Sequence, residues 1–267
     1  MNLKRISSAL IVALVVIIMV LIPSKIVLSI LFTIIAIMAM HEYLNAVSKV
    51  CTPVKWIGYL SCAMVLATCF IPEEYLWKSM IYFISATILL LFSQIIATDM
   101  KTTYKDIVYT FLGICYLIIP ISFLFLTNNL ENGRILAIFI LVATWGTDVF
   151  AYVIGSRLGK HKFSKISPNK SIEGCIAGTI GSVVLVVLFA LICNKVWNMN
   201  INYYLIAAIG LALSLIGQIG DFAASSIKRH VDIKDFSNLL PGHGGIIDRI
   251  DSVIFAAPFA YFLLMLI

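Results

Sequence analysis

Asp221, Asp248 and Asp251 have the residue type and spacing that could do chemistry in this 267-residue chain, which contains only 13 Asp and Glu. Asp221 closes an apolar run in "SLIGQIGDFAASSIKRH", and Asp248 and Asp251 open the next in "PGHGGIIDRIDS". The i, i+3 spacing of the latter two places them on one helical face. Three carboxylates at the end of one helix and the start of the next can converge at one depth. There they would repel unless a hard cation sat between them, and Mg²⁺ takes carboxylate oxygens while keeping positions open for phosphates. A helix macrodipole alone would also favour Asp248 and Asp251 near an N-terminus. It leaves Asp221, read here as following its helix, unexplained.

Cations and flexible backbone surround this acidic group. Lys228, Arg229, Lys234 and Arg249 can neutralise phosphate oxygens, Arg by bidentate contact and Lys as a point charge. Gly242, Gly244 and Gly245 flank His243 in a turn whose N–H groups could approach an anion. A second polar segment, "GSRLGKHKFSKISPNKSIEG" at 155–174, offers Ser167, Lys170 and Ser171 before an apolar run. Ser171 is a plausible helix cap there, and the helix N-terminus would favour an anion. Asp148 lies inside the apolar stretch "LVATWGTDVFAYVIG". A mid-helix carboxylate costs roughly 2.5–3.5 kcal/mol on insertion scales and usually faces a cavity or partner. Glu42, beside His41, reads as a residue solvated at the interface. The six cysteines are scattered without a C-x-x-C pair, so neither a zinc site nor a disulfide framework is expected.

The elements that must position these residues are apolar helices. Hydrophobic residues make up 61% of the chain, well above the roughly 45–50% of a soluble domain. Nine stretches are long enough to cross a hydrocarbon core: about 6–22, 25–42, 56–72, 76–97, 106–126, 134–155, 174–194, 201–220 and 252–267. They should be helices, because lipid satisfies no free backbone group. The expected fold is therefore an all-α polytopic membrane protein of about nine transmembrane helices, the first of them uncleaved. With the N-terminus cytoplasmic and the C-terminus outside, 15 Lys/Arg fall on the inner side and 4 on the outer, as the positive-inside rule requires. The net charge of +6 is thus topogenic and gives no reason to expect nucleic acid. Residues 1–130 supply about five spans. Residues 131–267 are expected to form the region that carries the chemistry, with its loops, 156–173 and 221–251, both facing the cytoplasm.

Residues 225–251, "SSIKRHVDIKDFSNLLPGHGGIIDRID", resemble the motif of the phosphatidate cytidylyltransferases, the CDP-diacylglycerol synthases. Ser225, Lys228, Arg229, Lys234, Asp235, His243, Gly244, Gly245, Asp248, Arg249 and Asp251 fill its fixed positions. Upstream, "GTDVFAYVIGSRLGKHK…ISPNKSIEG" is similar to the family's second stretch, with Val149 for Thr, Asn169 for Lys and Ser171 for Thr. The resemblance implies CTP + phosphatidate → CDP-diacylglycerol + pyrophosphate, with Mg²⁺ and room for a second cation. It implies that Asp221, Asp248, Lys228, Arg229 and Arg249 carry the chemistry, and that Asp221, Asp248 and Asp251 hold metal. Ser167, Lys170 and Ser171 would contact CTP. Asp148 would join the metal or the nucleotide, and Ser225 and His243, with Lys228 and Arg229, would meet phosphatidate. The expected setting is the cell membrane, with the active site facing the cytoplasm, membrane lipids as partners and a homodimer as one possible assembly. A CTP-dependent polyprenol or phytol kinase is the nearest alternative, and a solute transporter a more distant one.

Overall fold

The computed structural model describes residues 24–164, 166–168, 170–239 and 244–267, apart from the side chain of Glu73. The first expected span, 6–22, and the candidate residue His243 lie outside the described residues. Every regular element among the described residues is helical, and an isolated β-bridge pairs Lys162 with Ser171. The helices are α1 (Lys25–Val47), α2 (Lys55–Ser61), α3 (Ala63–Ala67), α4 (Leu76–Ala97), α5 (Tyr104–Gly113), α6 (Ile119–Thr127), α7 (Gly133–Leu158), α8 (Ile172–Trp197), α9 (Tyr203–His230) and α10 (Ile247–Leu264). They divide between two compact units. The first takes residues up to Leu126 together with His230–Arg249, and the second takes Thr127–Arg229 with Ile250–Ile267.

Among the described residues, six helical stretches are long and apolar enough to cross a membrane: α1, α4, the combined Tyr104–Thr127, α7, α8 and α9. Their outward residues are apolar too, as Ile81, Leu89 and Ile96 of α4 show by their exposure. In water such a surface would be a liability; in lipid it is the solvated face. The chain is a multi-pass membrane protein. Where a span was expected over 56–72, there are instead two short helices, α2 and α3, covering Lys55–Ala67. About thirteen helical residues rise about 20 Å, short of a hydrocarbon core of about 30 Å. Helix α10 has 18 residues, but Asp248, Arg249 and Asp251 occupy its first two turns.

In the first unit, α1 buries Phe32, Ala36, Met40, Tyr43 and Leu44. Gly113 of α5 leaves no room for a Cβ against the Tyr43 ring, and the Tyr43 hydroxyl donates to the Tyr109 carbonyl at 2.9 Å. Helix α5 starts in a capping box formed by Thr103 and Asp106. The π-helical turn Ile114–Ile118 separates α5 from α6. Pro120 follows it, and a residue without an N–H is a physical reason for the ladder to slip there. Burial, with the Asp106 carboxylate adding to it, pushes the Cys51 thiol up to about 11. All described cysteines are unpaired as disulfides, in keeping with the sequence.

In the second unit, α7 and α8 meet through small residues. A Cβ on Gly174 would lie 3.0 Å from the Gly155 Cα, and one on Gly178 would lie 2.7 Å from the Thr147 carbonyl oxygen. Hydroxyl and amide groups then tie three helices together. Thr147 donates to Ser214 at 2.7 Å, Gln218 donates to Thr179 at 2.8 Å, and Ser182 donates to the Ala143 carbonyl at 2.7 Å. Such interhelical bonds contribute about 0.6 kcal/mol each on average in membranes.

Candidate active site

Helix α9 runs to His230, ten residues beyond where its apolar run was expected to stop. Asp221 therefore does not follow its helix; it lies inside it. Hydropathy falls at Asp221 because the helix leaves the apolar zone, while Phe222-Ala223-Ala224 still favour helical backbone. Asp221, Ser225 and Lys228, at i, i+4 and i+7, consequently share one face. Gly217 and Gly220 bring this helix close to α10. A Cβ on Gly220 would stand 2.7 Å from the Asp251 carbonyl oxygen and 2.6 Å from the Phe255 Cβ.

Within the second unit, three helices deliver carboxylates to a common neighbourhood. Asp251 is buried at 8% exposure and lies within electrostatic reach of Asp221, Asp148 and Lys228. Its Oδ1 accepts from the Ser252 N–H at 2.9 Å, and the Ser252 hydroxyl donates to Asp148 Oδ2 at 3.3 Å. Asp148 thus faces partners, as its cost in an apolar helix requires. Lys170 forms an ion pair with Asp221, and its ammonium lies 4.8 Å from the centre of the Phe222 ring.

The segment that delivers Lys170 is folded back by its own bonds. Phe163 N–H donates to the Lys170 carbonyl at 3.1 Å, and Ile172 N–H donates to the His161 carbonyl at 2.9 Å. Phe163 stacks on Phe222 with ring centres 4.6 Å apart. Glu173 accepts from His161 Nδ1 at 2.6 Å and from the Lys160 N–H at 3.2 Å. Ser171 caps α8, as its position suggested, accepting from the Gly174 N–H at 3.1 Å. It is buried, with its oxygen turned to the helix. Ser167 lies half-buried in the same loop. Arg229, exposed, donates through Nε to the Ile166 carbonyl at 3.4 Å.

Asp248 and Arg249 belong to the first unit. Asp248 Oδ2 accepts from the N–H groups of Phe236 and Gly245, both at 2.9 Å. This carboxylate organises the glycine turn that precedes it, in which Gly244 adopts φ +80°. A Cβ on Gly244 would also fall 2.9 Å from Asp248 Oδ2, so glycine is required on both counts. Arg249 Nε is buried and has no hydrogen-bond acceptor among the described residues. A buried guanidinium donor left open in this way suits an anion.

One residue was misjudged in the sequence. Glu42 is not solvated at an interface; it is buried at 4% exposure. It accepts from Ser237 Oγ at 2.6 Å, Ile246 N–H at 2.9 Å and Ile247 N–H at 3.0 Å. No local cue marks it, because it stands at the end of the expected span 25–42, where water could equally satisfy an acid. Its neighbour His41 is exposed, and its ring bonds to Tyr59 and Asn45.

Among the described residues, no three His, Cys, Asp or Glu side chains form a ready-made metal site. The donor chemistry of the second unit nonetheless fits a hard cation, since Mg²⁺ is commonly held by one or two carboxylates with substrate phosphates completing its shell.

The comparisons with known proteins point the same way as these acids and lysines. A model of the cytidylyltransferase family matches residues 3–267. A Bacillus subtilis protein named phosphatidate cytidylyltransferase is 39% identical over 181 residues, covering 67% of this chain and 66% of the relative. Proteins of the same name from Staphylococcus aureus strain COL and Staphylococcus saprophyticus are 33% and 31% identical, each over 96% of both chains. The chain belongs to the cytidylyltransferase family.

Proposed function

We propose that this protein is a membrane phosphatidate cytidylyltransferase, joining CTP and phosphatidate into CDP-diacylglycerol with release of pyrophosphate. Its family and its relatives' names support the reaction. The observation that carries the site is the meeting of Asp148, Asp221 and Asp251 with Lys170 and Lys228 inside one helical unit. Acids and ammonium groups at the edge of an apolar bundle suit an anionic lipid and a soluble triphosphate better than either alone. The same charges, gathered in one neighbourhood rather than scattered through many spans, argue against a transport path.

In this reading the phosphatidate phosphate attacks the CTP α-phosphorus and pyrophosphate leaves in line, so the protein's work is positioning and charge stabilisation. Asp221 and Asp251 would hold Mg²⁺, with Asp148 beside them and Asp248 contributing from the first turn of α10. Mg²⁺, when bound, supplies charge neutralisation along the triphosphate. Lys170 pairs with Asp221 in the structure. Its ammonium would pass to a phosphate oxygen when a nucleotide arrives. Lys228, one helical turn beyond Ser225, presents a second ammonium on the face that carries Asp221. Ser225, with His243, Lys228 and Arg229, would meet the phosphatidate phosphate. Arg249, whose Nε lacks an acceptor among the described residues, would bind an anionic oxygen. Ser167 and Ser171 would lie on the CTP side, Ser171 through the helix end it caps.

The membrane arrangement proposed with it is a multi-pass one in the cell membrane, with the site open to the cytoplasm. The nine Lys and Arg gathered in residues 156–173 and 221–251 support a cytoplasmic side for those two segments. Residues 131–267 are proposed as the catalytic region. A homodimer is compatible with this reading.

CTP labelled at the α-phosphate tests the reaction. Label should enter the lipid extract when phosphatidate and Mg²⁺ are present. Label confined to soluble CDP would instead indicate γ-phosphate transfer to a lipid alcohol, the kinase chemistry, and would sink the proposal.

A further inference from the structure

We propose that Glu42 is a positioning residue of the transferase, holding the first turn of α10 so that Asp248 and Arg249 point where the reaction needs them. This rests on the function proposed above. Glu42 and the α10 start are about two hundred residues apart in sequence, yet the Glu42 carboxylate accepts from Ile246 N–H at 2.9 Å and Ile247 N–H at 3.0 Å. Those N–H groups are donors that a helix start leaves without intrahelical partners. A carboxylate there is also favoured by the macrodipole. Glu42 takes a third bond from Ser237 Oγ at 2.6 Å, so the preceding segment is fixed by the same group.

The fit is close on the backbone side. A Cβ on Gly245 would come within 2.5 Å of Glu42 Oε2 and 2.7 Å of its Cδ, so the turn must pass with glycine there. Asp248 grips the same turn from the other side, accepting from Gly245 N–H and Phe236 N–H. Two carboxylates therefore clamp Gly245–Ile247, one from α1 and one from α10 itself. Glu42 forms no salt bridge among the described residues. Its charge is balanced by N–H and hydroxyl dipoles, which is costly to maintain in a buried place unless geometry repays it. The residues immediately after the clamp, Asp248 and Arg249, are the ones the reaction asks to be still, and a small misplacement of reacting groups can cost about 10²-fold in rate.

Glu42→Gln tests the idea, because it keeps shape while replacing one acceptor oxygen by an N–H₂ group that opposes a backbone donor. In the full-length protein in detergent with phosphatidate, kcat per folded molecule should fall roughly tenfold or more. KM for CTP should stay within about threefold. Amide hydrogen exchange in a peptide covering Gly245–Arg249 should accelerate, while exchange in Tyr104–Thr127 stays unchanged. Ser237→Ala, which spares both backbone bonds, should stay within about twofold of wild type. An unchanged kcat, a loss explained wholly by a smaller folded fraction, or unaltered exchange at Gly245–Arg249 would overturn the proposal. A wild-type chain that labels no lipid overturns the transferase reading instead, and the exchange contrast then still decides whether Glu42 holds the turn.

Discussion

The carboxylates of the first unit and those of the second are treated in opposite ways. Glu42, Asp106 and Asp248 each accept from two backbone N–H groups or more. In the second unit, Asp148, Asp221 and Asp251 meet a serine hydroxyl, a lysine and one another, with a single backbone N–H, that of Ser252 on Asp251. Backbone N–H groups cannot leave without unfolding a turn, whereas a lysine or serine side chain can rotate away. The first set therefore builds structure, and the second can exchange its partners for a ligand. Asp248 belongs to both descriptions, since it organises its turn and stands three residues before Asp251.

The sharpest way to break this contrast is to neutralise an acid of the second unit. Asp251→Asn should cut cytidylyl transfer by about 10²-fold, the scale of a lost transition-state contact. Its melting temperature in detergent should hold or rise, because a buried like charge is removed. A clear drop in melting would place Asp251 with the structural acids. Asp248→Ala should behave differently in stability, not only in activity. It strands the N–H groups of Phe236 and Gly245, at about 1–3 kcal/mol for each donor left unsatisfied, so melting should fall together with activity. Next comes the frame that presents the second unit's acids. Gly178→Ala would push a methyl group toward the Thr147 carbonyl oxygen and should cost about 1–3 kcal/mol as overpacking, read as lower melting with kcat per folded molecule retained. The smallest effect is expected at a purely structural acid's partner. Thr103→Ala removes the cap of α5 and should cost about 1 kcal/mol, with transfer activity unaffected at temperatures below melting.

These contrasts also explain what the sequence could reveal. Apolar length marked α1, α4, α7, α8 and α9 clearly, because lipid demands continuous helices. It overestimated 56–72, where hydropathy registers greasiness but not the break at Cys62 between α2 and α3. It cuts α9 short at Asp221, since polarity there marks the end of the apolar zone and not the end of the helix. At the site, motif spacing drew attention to Asp221, Asp248 and Asp251, and the excess cost of Asp148 in a span drew attention to that residue. Lys170 and Ser171 were visible as a charged, capped segment. The pairing of Lys170 with Asp221 and the stacking of Phe163 on Phe222 depend on how a loop folds back, which no local pattern encodes. Glu42 escaped for the same reason. Its partners lie at Ser237, Ile246 and Ile247, and a single acid near a helix end looks the same whether water or a distant backbone satisfies it.

Asp221 is the point at which the central claim is most exposed, because it carries the one ion pair between the 159–171 loop and α9 among the described residues. The decisive measurement is incorporation of α-labelled CTP into lipid by Asp221→Asn at saturating Mg²⁺, set beside its melting in detergent. The account predicts at least about a 10²-fold loss of label transfer with melting close to wild type. Label transfer near the wild-type rate would contradict it.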